Sequence, residues 1–306
     1  MSEPPASPPQ SQAIPQPELM KWPALLDRTR PEPSATIAYG DDQMQKVDLW
    51  LPAGSGLHPT VLMVHGGCWQ TEIADRRIMN WIAADLQKRG IAVWNVDYRG
   101  VDRGGGGYPG TFADAAEAAD ALRDHAAEYK LDIEPLVAVG HSAGGHLALW
   151  LAARRAASRR PPGPLIPRGS PLLAADPLPI DTVVSLGGLP DLELAATPPG
   201  SGCGTEVIGK LVGPPTLSSR NVYADTSVPR LAPLGIRQVL INGLQDRIIP
   251  TAYAEAYAKP MRAAGDEVKV RMIESTGHVE LIAPETAAWT AAVEEIEAAL
   301  GRKGRR

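Results

Sequence analysis

A serine in the middle of the chain lies in a setting that favours nucleophilic chemistry. Ser142 is the central residue of Gly140-His-Ser-Ala-Gly144, between an apolar run at 136–139 and a longer one at 143–157. The two runs predict a strand and a buried helix, and the flanking glycines permit a sharp turn between them. Such a turn lifts the hydroxyl clear of the sheet edge, and the helix N-terminus favours developing negative charge. We therefore expect Ser142 to be the nucleophile of an acyl-transfer reaction.

A glycine-containing loop earlier in the chain could stabilise the oxyanion of that reaction. The segment His65-Gly-Gly-Cys-Trp69 follows a continuous apolar run that is typical of a buried parallel strand. Acyl transfer needs N–H donors directed at the developing oxyanion. The expected donors are the backbone amides of Gly67 and Cys68, with the amide of Ala143 as the third. His65 itself is expected to fix the loop by hydrogen bonding rather than to act as a base.

The general base is expected to be His278. It follows the apolar run 268–273, so it lies at the carboxyl end of a predicted strand, on the sheet edge where Ser142 also lies. The other five histidines are assigned to loops, to helices or to the serine turn: His58, His65, His125, His141 and His146.

The acid that orients the base is expected to be Asp246. It lies four residues beyond Asn242, which comes at the end of the predicted strand 238–241. Its role would be to accept the Nδ1–H of the histidine, fix the tautomer and stabilise the imidazolium. Asp191, which follows the predicted strand 182–186, is the alternative acid. The chain order nucleophile, acid, base differs from that of chymotrypsin-like and subtilisin-like enzymes.

A sheet must position these residues. Apolar or alternating runs predict eight strands, at 36–39, 46–51, 60–65, 91–96, 136–139, 182–186, 238–241 and 268–273. Runs with helical spacing lie at 73–89, 111–129, 143–157, 205–212, 251–264 and 284–300. Strands that alternate with helices predict an α/β fold, with a mostly parallel sheet covered by helices on both faces.

Composition excludes several other classes of function. The net charge is −5 and no long basic block is present, so we expect no nucleic-acid partner. No run of about 18 apolar residues is present, so no membrane span is expected. Two cysteines exclude a disulfide scaffold and a Cys-rich zinc site, and we expect no metal and no cofactor. A cytoplasmic location follows by default, because the N-terminus has no apolar signal region.

The two cysteines leave two interpretations open. Cys68 lies in the expected oxyanion loop, and Cys203 lies in the proline-containing stretch 189–236, which we interpret as a small lid between late strands. If these segments meet, a disulfide could pin the lid to the loop. The interpretation that the sequence favours is two unrelated buried thiols.

These motifs resemble those of one superfamily. His65-Gly-Gly-Cys-Trp, Asp97-Tyr-Arg, Gly140-His-Ser-Ala-Gly-Gly-His-Leu-Ala148 and Gly277-His278 resemble the esterase, acylaminopeptidase-like and kynurenine-formamidase-like branches of the α/β-hydrolase superfamily. The resemblance covers roughly residues 35–300. It implies an eight-stranded, mostly parallel sheet and hydrolysis of esters or amides without a cofactor. Trp69 favours the formamidase-like grouping, whereas Cys68 stands where the His-Gly-Gly-Gly branch has glycine.

The domain organisation follows from the same patterns. We expect a disordered proline-rich tail at 1–18, one hydrolase domain at 19–301 and a basic tail at 302–306. The first expectation for function is hydrolysis of small carboxylic esters through an acyl-enzyme on Ser142. The second is an aryl formamidase acting on compounds of the N-formylkynurenine type, and the third is a short-peptide or acylaminoacyl peptidase. A non-catalytic binding protein on the same fold is the alternative of another class. The expected partner is a small-molecule ester or amide, and the oligomeric state is left open.

Overall fold

The computed structural model describes residues 18–159, 166–217 and 219–301. The predicted proline-rich tail, apart from residue 18, and the predicted basic tail at 302–306 lie outside these ranges.

One sheet organises the described residues. Its eight strands are β1 (Ala35–Ala38), β2 (Lys46–Trp50), β3 (His58–Val64), β4 (Ala92–Val96), β5 (Leu131–His141), β6 (Thr182–Leu186), β7 (Arg237–Gly243) and β8 (Glu267–Ile273). Their order in the sheet is β1-β2-β4-β3-β5-β6-β7-β8. The pairs β1–β2 and β2–β4 are antiparallel, and all other pairs are parallel. The predicted α/β fold with a mostly parallel eight-stranded sheet is confirmed.

Helices cover both faces of this sheet. They are α1 (Trp22–Leu26), α2 (Asn80–Lys88), α3 (Gly110–Ala126), α4 (Ala143–Ser158), α5 (Leu192–Ala195), α6 (Thr205–Val212), α7 (Ala252–Ala263) and α8 (Ala287–Ala299). Successive side chains of each strand point to opposite faces of the sheet and belong to two separate hydrophobic cores. Leu62 and Val64 of β3 join the core under α3, α4 and α7, whereas Val61 and Met63 join the core under α1, α2 and α8. Burial on both faces explains why the central strands are continuous apolar runs.

Predicted and observed bounds differ for several elements, and two of the differences have a clear structural cause. Strand β5 begins at Leu131, five residues before the predicted start, because its first residues pair with the beginning of β3. The helix predicted at 73–89 begins later, as a 3₁₀ turn at Arg76–Met79 followed by α2. The Asp75 side chain accepts the backbone N–H of Arg77 and so fixes this later start. Residues 70–75 instead form turns beside the candidate site.

The residues predicted to form the site lie at one edge of the sheet, at the carboxyl ends of the parallel strands. Gly67 and Cys68 follow β3, Ser142 follows β5, Asp246 follows β7 and His278 follows β8. The predicted lid stretch 189–236 connects β6 to β7 and contains α5, α6 and a 3₁₀ turn at Val228–Leu231. Its role as a lid stays a prediction.

Candidate active site

The backbone at Ser142 has the strained geometry of a sharp strand-to-helix turn. Ser142 caps α4 with φ 54° and ψ −121°, a combination that non-glycine residues rarely adopt. Its amide donates to the carbonyl of Leu186 in β6 at 2.9 Å, and its carbonyl accepts the amide of Gly145 at 2.9 Å. These bonds hold the turn from both sides. The serine is buried but lines a pocket.

Both glycines of the serine motif are required by close packing. A Cβ at position 140 would lie 2.1 Å from the carbonyl oxygen of Gly144. A Cβ at position 144 would lie 2.1 Å from the carbonyl oxygen of Val64, at the end of β3. Real Cβ atoms do not approach backbone oxygens this closely, so neither position can hold a larger residue without moving the turn. The glycines therefore serve packing as well as backbone freedom.

His278 and Asp246 form a buried hydrogen-bonded pair. The Nδ1 of His278 lies 2.6 Å from the Oδ2 of Asp246. The other oxygen of Asp246 accepts the backbone amides of Ile248 at 2.8 Å and Ile249 at 2.9 Å. A carboxylate fixed in this way accepts Nδ1–H and leaves Nε2 as the acceptor, which is the tautomer of a general base. His278 lines the same pocket as Ser142.

The alternative acid lies elsewhere. The Asp191 carboxylate caps α5 by accepting the amide of Leu194 at 3.1 Å, and it also accepts the hydroxyl of Ser227 at 3.1 Å. It is therefore occupied as a helix cap within the stretch that joins β6 to β7.

The loops that bear Asp246 and His278 are tied to each other. Gln245 and Thr276 exchange two hydrogen bonds, from the Gln245 amide to the Thr276 carbonyl at 2.9 Å and from the Thr276 amide to the Gln245 side chain at 3.1 Å. Gly187, which sequence reasoning missed, lies against the pair. Its φ is +57°, and a Cβ there would lie 3.2 Å from the Nδ1 of His278 and 2.6 Å from a Leu281 methyl. A glycine directly after a buried strand was the signal available in the sequence.

The expected oxyanion loop turns sharply at three consecutive residues. Gly67, Cys68 and Trp69 all have positive φ, of 108°, 51° and 54°. Within the described residues, the amides of Gly67, Cys68 and Ala143 donate to no protein acceptor. Unpaired amides on a turned loop and at a helix N-terminus are suited to hold an anionic oxygen.

The loop also packs directly on the serine turn. A Cβ at Gly66 would lie 2.9 Å from the Cβ of Ser142 and 2.8 Å from the Nδ1 of His141. A glycine at position 66 therefore permits the close approach of the two segments.

A buried charge network anchors the start of this loop. The Nε2 of His65 lies 2.9 Å from Asp97, and its Nδ1 lies 2.6 Å from the carbonyl of Gly66. Arg76 pairs with both Asp97 and Asp48, at 2.9 Å and 2.8 Å. The ring of Tyr98 stacks on His65 with centroids 4.3 Å apart. Because both nitrogens of His65 are engaged, the structure confirms the expectation that this histidine fixes the loop.

Sequence reasoning missed the partner of His65. Asp97 entered only as part of a family motif, although it follows β4, the neighbour of β3 in the sheet. The carboxyl ends of two neighbouring parallel strands lie side by side, and this proximity was the usable signal.

The sequence-based preference for two unrelated thiols is wrong. Cys68 and Cys203 form a disulfide, with Cα atoms 5.4 Å apart and 135 residues apart in sequence. The bond joins the turned loop after β3 to the stretch between β6 and β7. Both regions border the pocket, through Cys68 and through Gly202. The tertiary structure brings these segments together through the order of the strands, which the local sequence pattern did not reveal.

His141 also contributes to the site. Its Nε2 donates to the backbone carbonyl of His278 at 3.2 Å, and the two rings lie 4.5 Å apart. Burial lowers the pKa of His141 well below its ordinary value, and the neighbouring His278 lowers it further. His141 is therefore neutral at neutral pH and links the serine turn to the loop of His278.

A mostly apolar pocket of about 300 Å³ lies beside these groups. It is lined by Trp22, Leu26, Gly67, Cys68, Ile73, Ala74, Ile78, His141, Ser142, Gly202, Ile248 and His278. No Asp, Glu, Lys or Arg side chain is among the residues that line it in the described chain. Charged residues occur in an adjoining groove of about 260 Å³, beyond Leu26 and Ile73.

The family model described as BD-FAE matches residues 47–260, which is more than half of the chain. The chain belongs to the BD-FAE family. The matched range contains the loop after β3, Ser142 and Asp246, whereas His278 and α1 lie beyond its two ends. With the fold described above, this match confirms the resemblance to the α/β-hydrolase superfamily.

Two curated relatives are similar in sequence. The chain is 25% identical over 256 residues to a probable isoprenylcysteine alpha-carbonyl methylesterase of Arabidopsis thaliana, which covers 80% of this chain and 51% of that protein. It is 32% identical over 114 residues to the protein of the same name from Oryza sativa subsp. japonica, covering 37% of this chain and 26% of that protein. The chain thus spans about half the length, or less, of these relatives.

Solved structures share the fold at low identity. Esterase B of Lactobacillus rhamnosis has a TM-score of 0.69 at 17% identity, covering 89% of each chain. A thermophilic esterase of Thermogutta terrifontis with propionate bound has a TM-score of 0.65 at 19% identity, covering 89% of this chain and 96% of that one.

In residues 18–159, 166–217 and 219–301, no helix combines the length and the apolar character needed to span a bilayer. In the same ranges, no group of three or more His, Cys, Asp or Glu side chains is placed to hold a metal ion.

Proposed function

We propose that this chain is a serine hydrolase of carboxylic esters, with Ser142 as nucleophile, His278 as general base and Asp246 as the orienting acid. The observation that carries the proposal is one arrangement: a serine in a strained strand-to-helix turn shares a pocket with a buried His278–Asp246 pair. The family membership and the ester-hydrolase names of the similar proteins support the same reaction class.

In the acylation step, Nε2 of His278 takes the proton of Ser142 while Oγ attacks the ester carbonyl. The oxyanion is held by the amides of Gly67, Cys68 and Ala143. Collapse of the tetrahedral intermediate breaks the bond to the leaving oxygen, and His278 returns the proton to that oxygen. Asp246 stabilises the imidazolium between these two transfers.

In the deacylation step, a water takes the place of the alcohol. His278 removes a proton from the water as its oxygen attacks the acyl-serine, and the same three amides hold the second oxyanion. His278 then protonates Oγ of Ser142, which leaves a free carboxylic acid and the original enzyme. No external reductant, oxidant or cofactor is needed to balance either step.

The pocket lining favours esters of uncharged groups over the other candidate substrates. N-formylkynurenine bears a charged amino-acid group, and a peptide with a free terminus is also charged. Burying an unpaired charge in an apolar pocket is unfavourable, and no charged side chain lines this pocket in the described chain. We therefore place small, uncharged carboxylic esters first and keep aryl formamides and short peptides as outcomes of the test below.

Labelling with a fluorophosphonate probe tests the nucleophile. We expect the folded wild-type chain to be labelled on the peptide that contains Ser142, and Ser142→Ala to be unlabelled. Ser158→Ala, at the exposed far end of α4, is the matched control and should keep the label. Unlabelled wild-type protein with a native circular dichroism spectrum would instead support a binding protein on this fold.

A kinetic panel tests the substrate class. It consists of p-nitrophenyl esters of rising acyl length, N-formylkynurenine and an aminoacyl anilide, each assayed with wild type and with Ser142→Ala. We expect the highest kcat/KM with an ester. A higher kcat/KM with the formamide or the anilide would move the assignment to that class.

We also infer that the chain works in an oxidising compartment, in contrast to the cytoplasm predicted by default. The Cys68–Cys203 pairing supports this inference, since disulfides persist where thiols are not kept reduced. Alkylation of the protein at the moment of cell lysis, followed by non-reducing digestion, provides the test. A cross-linked peptide pair supports the inference, and two alkylated cysteines contradict it.

A further inference from the structure

The segment that precedes the family-matched part of the chain forms one wall of the pocket. The family model begins at residue 47, whereas Trp22 and Leu26 of α1 line the pocket beside Ser142 and His278. We propose that α1 is the wall of the leaving-group subsite and that Trp22 selects esters whose leaving group is an apolar alcohol or phenol. This inference rests on the proposed function and specifies the substrate of that same site.

The wall is anchored to the core and to the loop of the base. Leu25 is fully buried in the core under α1, α2 and α8. One oxygen of the buried Glu280 carboxylate accepts the amide of Met20 at 2.5 Å, and the other accepts the amide of Gly277 at 3.0 Å. A single carboxylate therefore joins the segment before α1 to the residue before His278. An ion pair between Arg28 and Glu285 lies just after the helix.

The indole of Trp22 lies against the base itself. Its ring centroid is 6.4 Å from that of His278 and 6.5 Å from that of His141, both in edge-to-face arrangements. His278 must deliver its proton to the leaving oxygen, so this oxygen lies within hydrogen-bond reach of His278. A group attached to that oxygen is then next to the indole. This geometry places Trp22 on the leaving-group side of the scissile bond.

The chemistry of the surrounding wall indicates which leaving groups fit. Leu26, Ile73 and Ile78 add apolar surface to the same pocket, and Leu26 and Ile73 are also exposed to solvent. Aromatic rings favour edge-to-face or offset contacts with other apolar rings, and apolar contact increases with buried area. An aryl or longer alkyl alcohol gains these contacts, whereas methanol is too small to reach them.

Two ester series test the assignment. The first keeps acetate as the acyl group and varies the alcohol through methyl, butyl, phenyl and 2-naphthyl. The second keeps phenol as the alcohol and varies the acyl group from acetyl to hexanoyl. Comparing Trp22→Ala with wild type on each ester cancels the intrinsic reactivity of that ester. We expect kcat/KM of the variant to fall about tenfold more with 2-naphthyl acetate than with methyl acetate, because one ring contact is lost.

Matched variants separate selection from damage to the fold. Trp22→Phe keeps an aromatic ring and should give an intermediate selectivity ratio. Leu26→Ala should lower the naphthyl-to-methyl ratio severalfold, and Leu57→Ala, which is 70% exposed before β3, should leave it unchanged. Thermal unfolding of each variant reports its fold.

Two results would overturn the inference while leaving the proposed function in place. The first is an equal loss with every alcohol, and the second is a loss that follows the acyl series instead. If wild type hydrolyses no ester in either series, the proposed function itself fails. Failure of the inference and failure of the proposed function are distinguishable. Ser142→Ala, assayed with the same esters, shows whether any hydrolysis by wild type depends on Ser142.

Discussion

Two buried histidine–aspartate pairs lie at the same edge of the sheet, one on each side of Ser142. His65 and Asp97 follow the neighbouring strands β3 and β4, and His278 and Asp246 follow the neighbouring strands β8 and β7. The donor–acceptor distances are similar, 2.9 Å and 2.6 Å. Both histidines are almost completely buried.

The pairs differ in the surroundings of the second ring nitrogen. In His65 that nitrogen contacts the carbonyl of Gly66, and Arg76 supplies a further charge to Asp97. In His278 only Nδ1 is held by the carboxylate, and the residue lines the pocket beside Ser142. A histidine with both nitrogens engaged is fixed and serves structure, whereas one with a free nitrogen in a pocket can move a proton. Histidine–aspartate contact alone therefore does not identify a catalytic pair.

The largest expected effect is a loss of kcat on substitution of His278, which distinguishes its pair from the His65–Asp97 pair. We expect His278→Gln to lower kcat by about 10⁶-fold, since the nucleophile loses its base. The free energy of unfolding should change by less than about 2 kcal/mol, because Asp246 keeps two backbone N–H donors. Ester hydrolysis and urea unfolding measure the two quantities. A variant that keeps more than a hundredth of wild-type kcat would exclude His278 as the base.

A smaller effect is expected at the acid. We expect Asp246→Asn to lower kcat by about 10⁴-fold, because the amide no longer fixes the tautomer or stabilises the imidazolium. Asp191→Asn is the matched control, and it should keep near-wild-type kcat since this carboxylate caps α5. A large loss in the control with little loss at position 246 would reverse the assignment of the acid.

At the other pair, stability should respond more strongly than catalysis. We expect His65→Gln to lower kcat by about 10²-fold through displacement of the oxyanion loop, near the loss expected for one oxyanion donor. Its free energy of unfolding should fall by about 2–4 kcal/mol, because the contacts of both ring nitrogens and the stacking on Tyr98 are lost together. Urea unfolding of this variant beside His278→Gln provides the comparison. Equal unfolding free energies for the two variants would remove the distinction drawn between the pairs.

The disulfide provides the second anchor of the same loop. We expect Cys203→Ser to lower kcat by about tenfold, less than the 10²–10³ of a lost oxyanion donor, because the amide of Cys68 is loosened rather than removed. The free energy of unfolding should fall by about 2–4 kcal/mol. Treating wild type with a reductant should reproduce both changes, and the reductant should have no further effect on the variant. Insensitivity of wild type to complete reduction, verified by alkylation, would show that the loop needs no covalent anchor.

His146, a buried histidine outside both pairs, is expected to have the smallest effect on catalysis and serves as a reference for stability. His146 in α4 bonds to the Thr226 carbonyl at 2.8 Å, and burial lowers its pKa to about 4. The unfolded chain, with an ordinary histidine pKa near 6.5, therefore binds more protons between these two values. The free energy of unfolding should fall as pH falls from about 6.5 to 4, by about 3 kcal/mol in total from this group. His146→Gln should reduce that slope in urea titrations and leave the part due to His141, whose pKa burial also lowers, and an unchanged slope would contradict the assignment.

Much of the site could be predicted because its signals are local. The turn at Ser142 is encoded by two glycines between an apolar strand and an apolar helix, all within about twenty residues. The strands are encoded by continuous apolar runs, since burial on both faces leaves no polar alternation. Strand ends in a parallel sheet share an edge, so the positions of His278 and the glycine loop followed from the pattern alone.

Other features depended on contacts between distant parts of the chain. Two aspartates followed predicted strands and the sequence favoured Asp246, but only the packing of the loop after β7 onto the loop after β8 shows that Asp246 contacts His278 and Asp191 does not. The Cys68–Cys203 pairing and the contact of Asp97 with His65 join segments whose local patterns give no indication of each other. Local propensity is determined by neighbouring residues, whereas these pairings result from the packing of the whole domain.

The sequence by itself determined the fold class and the positions of Ser142 and His278 at one edge of the sheet, because periodicity and turn chemistry are properties of short segments. The tertiary structure showed that Asp246, and not Asp191, contacts His278, and it alone decided how the loop after β3 is anchored and that α1 closes one side of the pocket. Each of these depends on side chains that meet across 32 to 260 residues of chain. Such meetings are set by sheet order and core packing, which no short segment encodes.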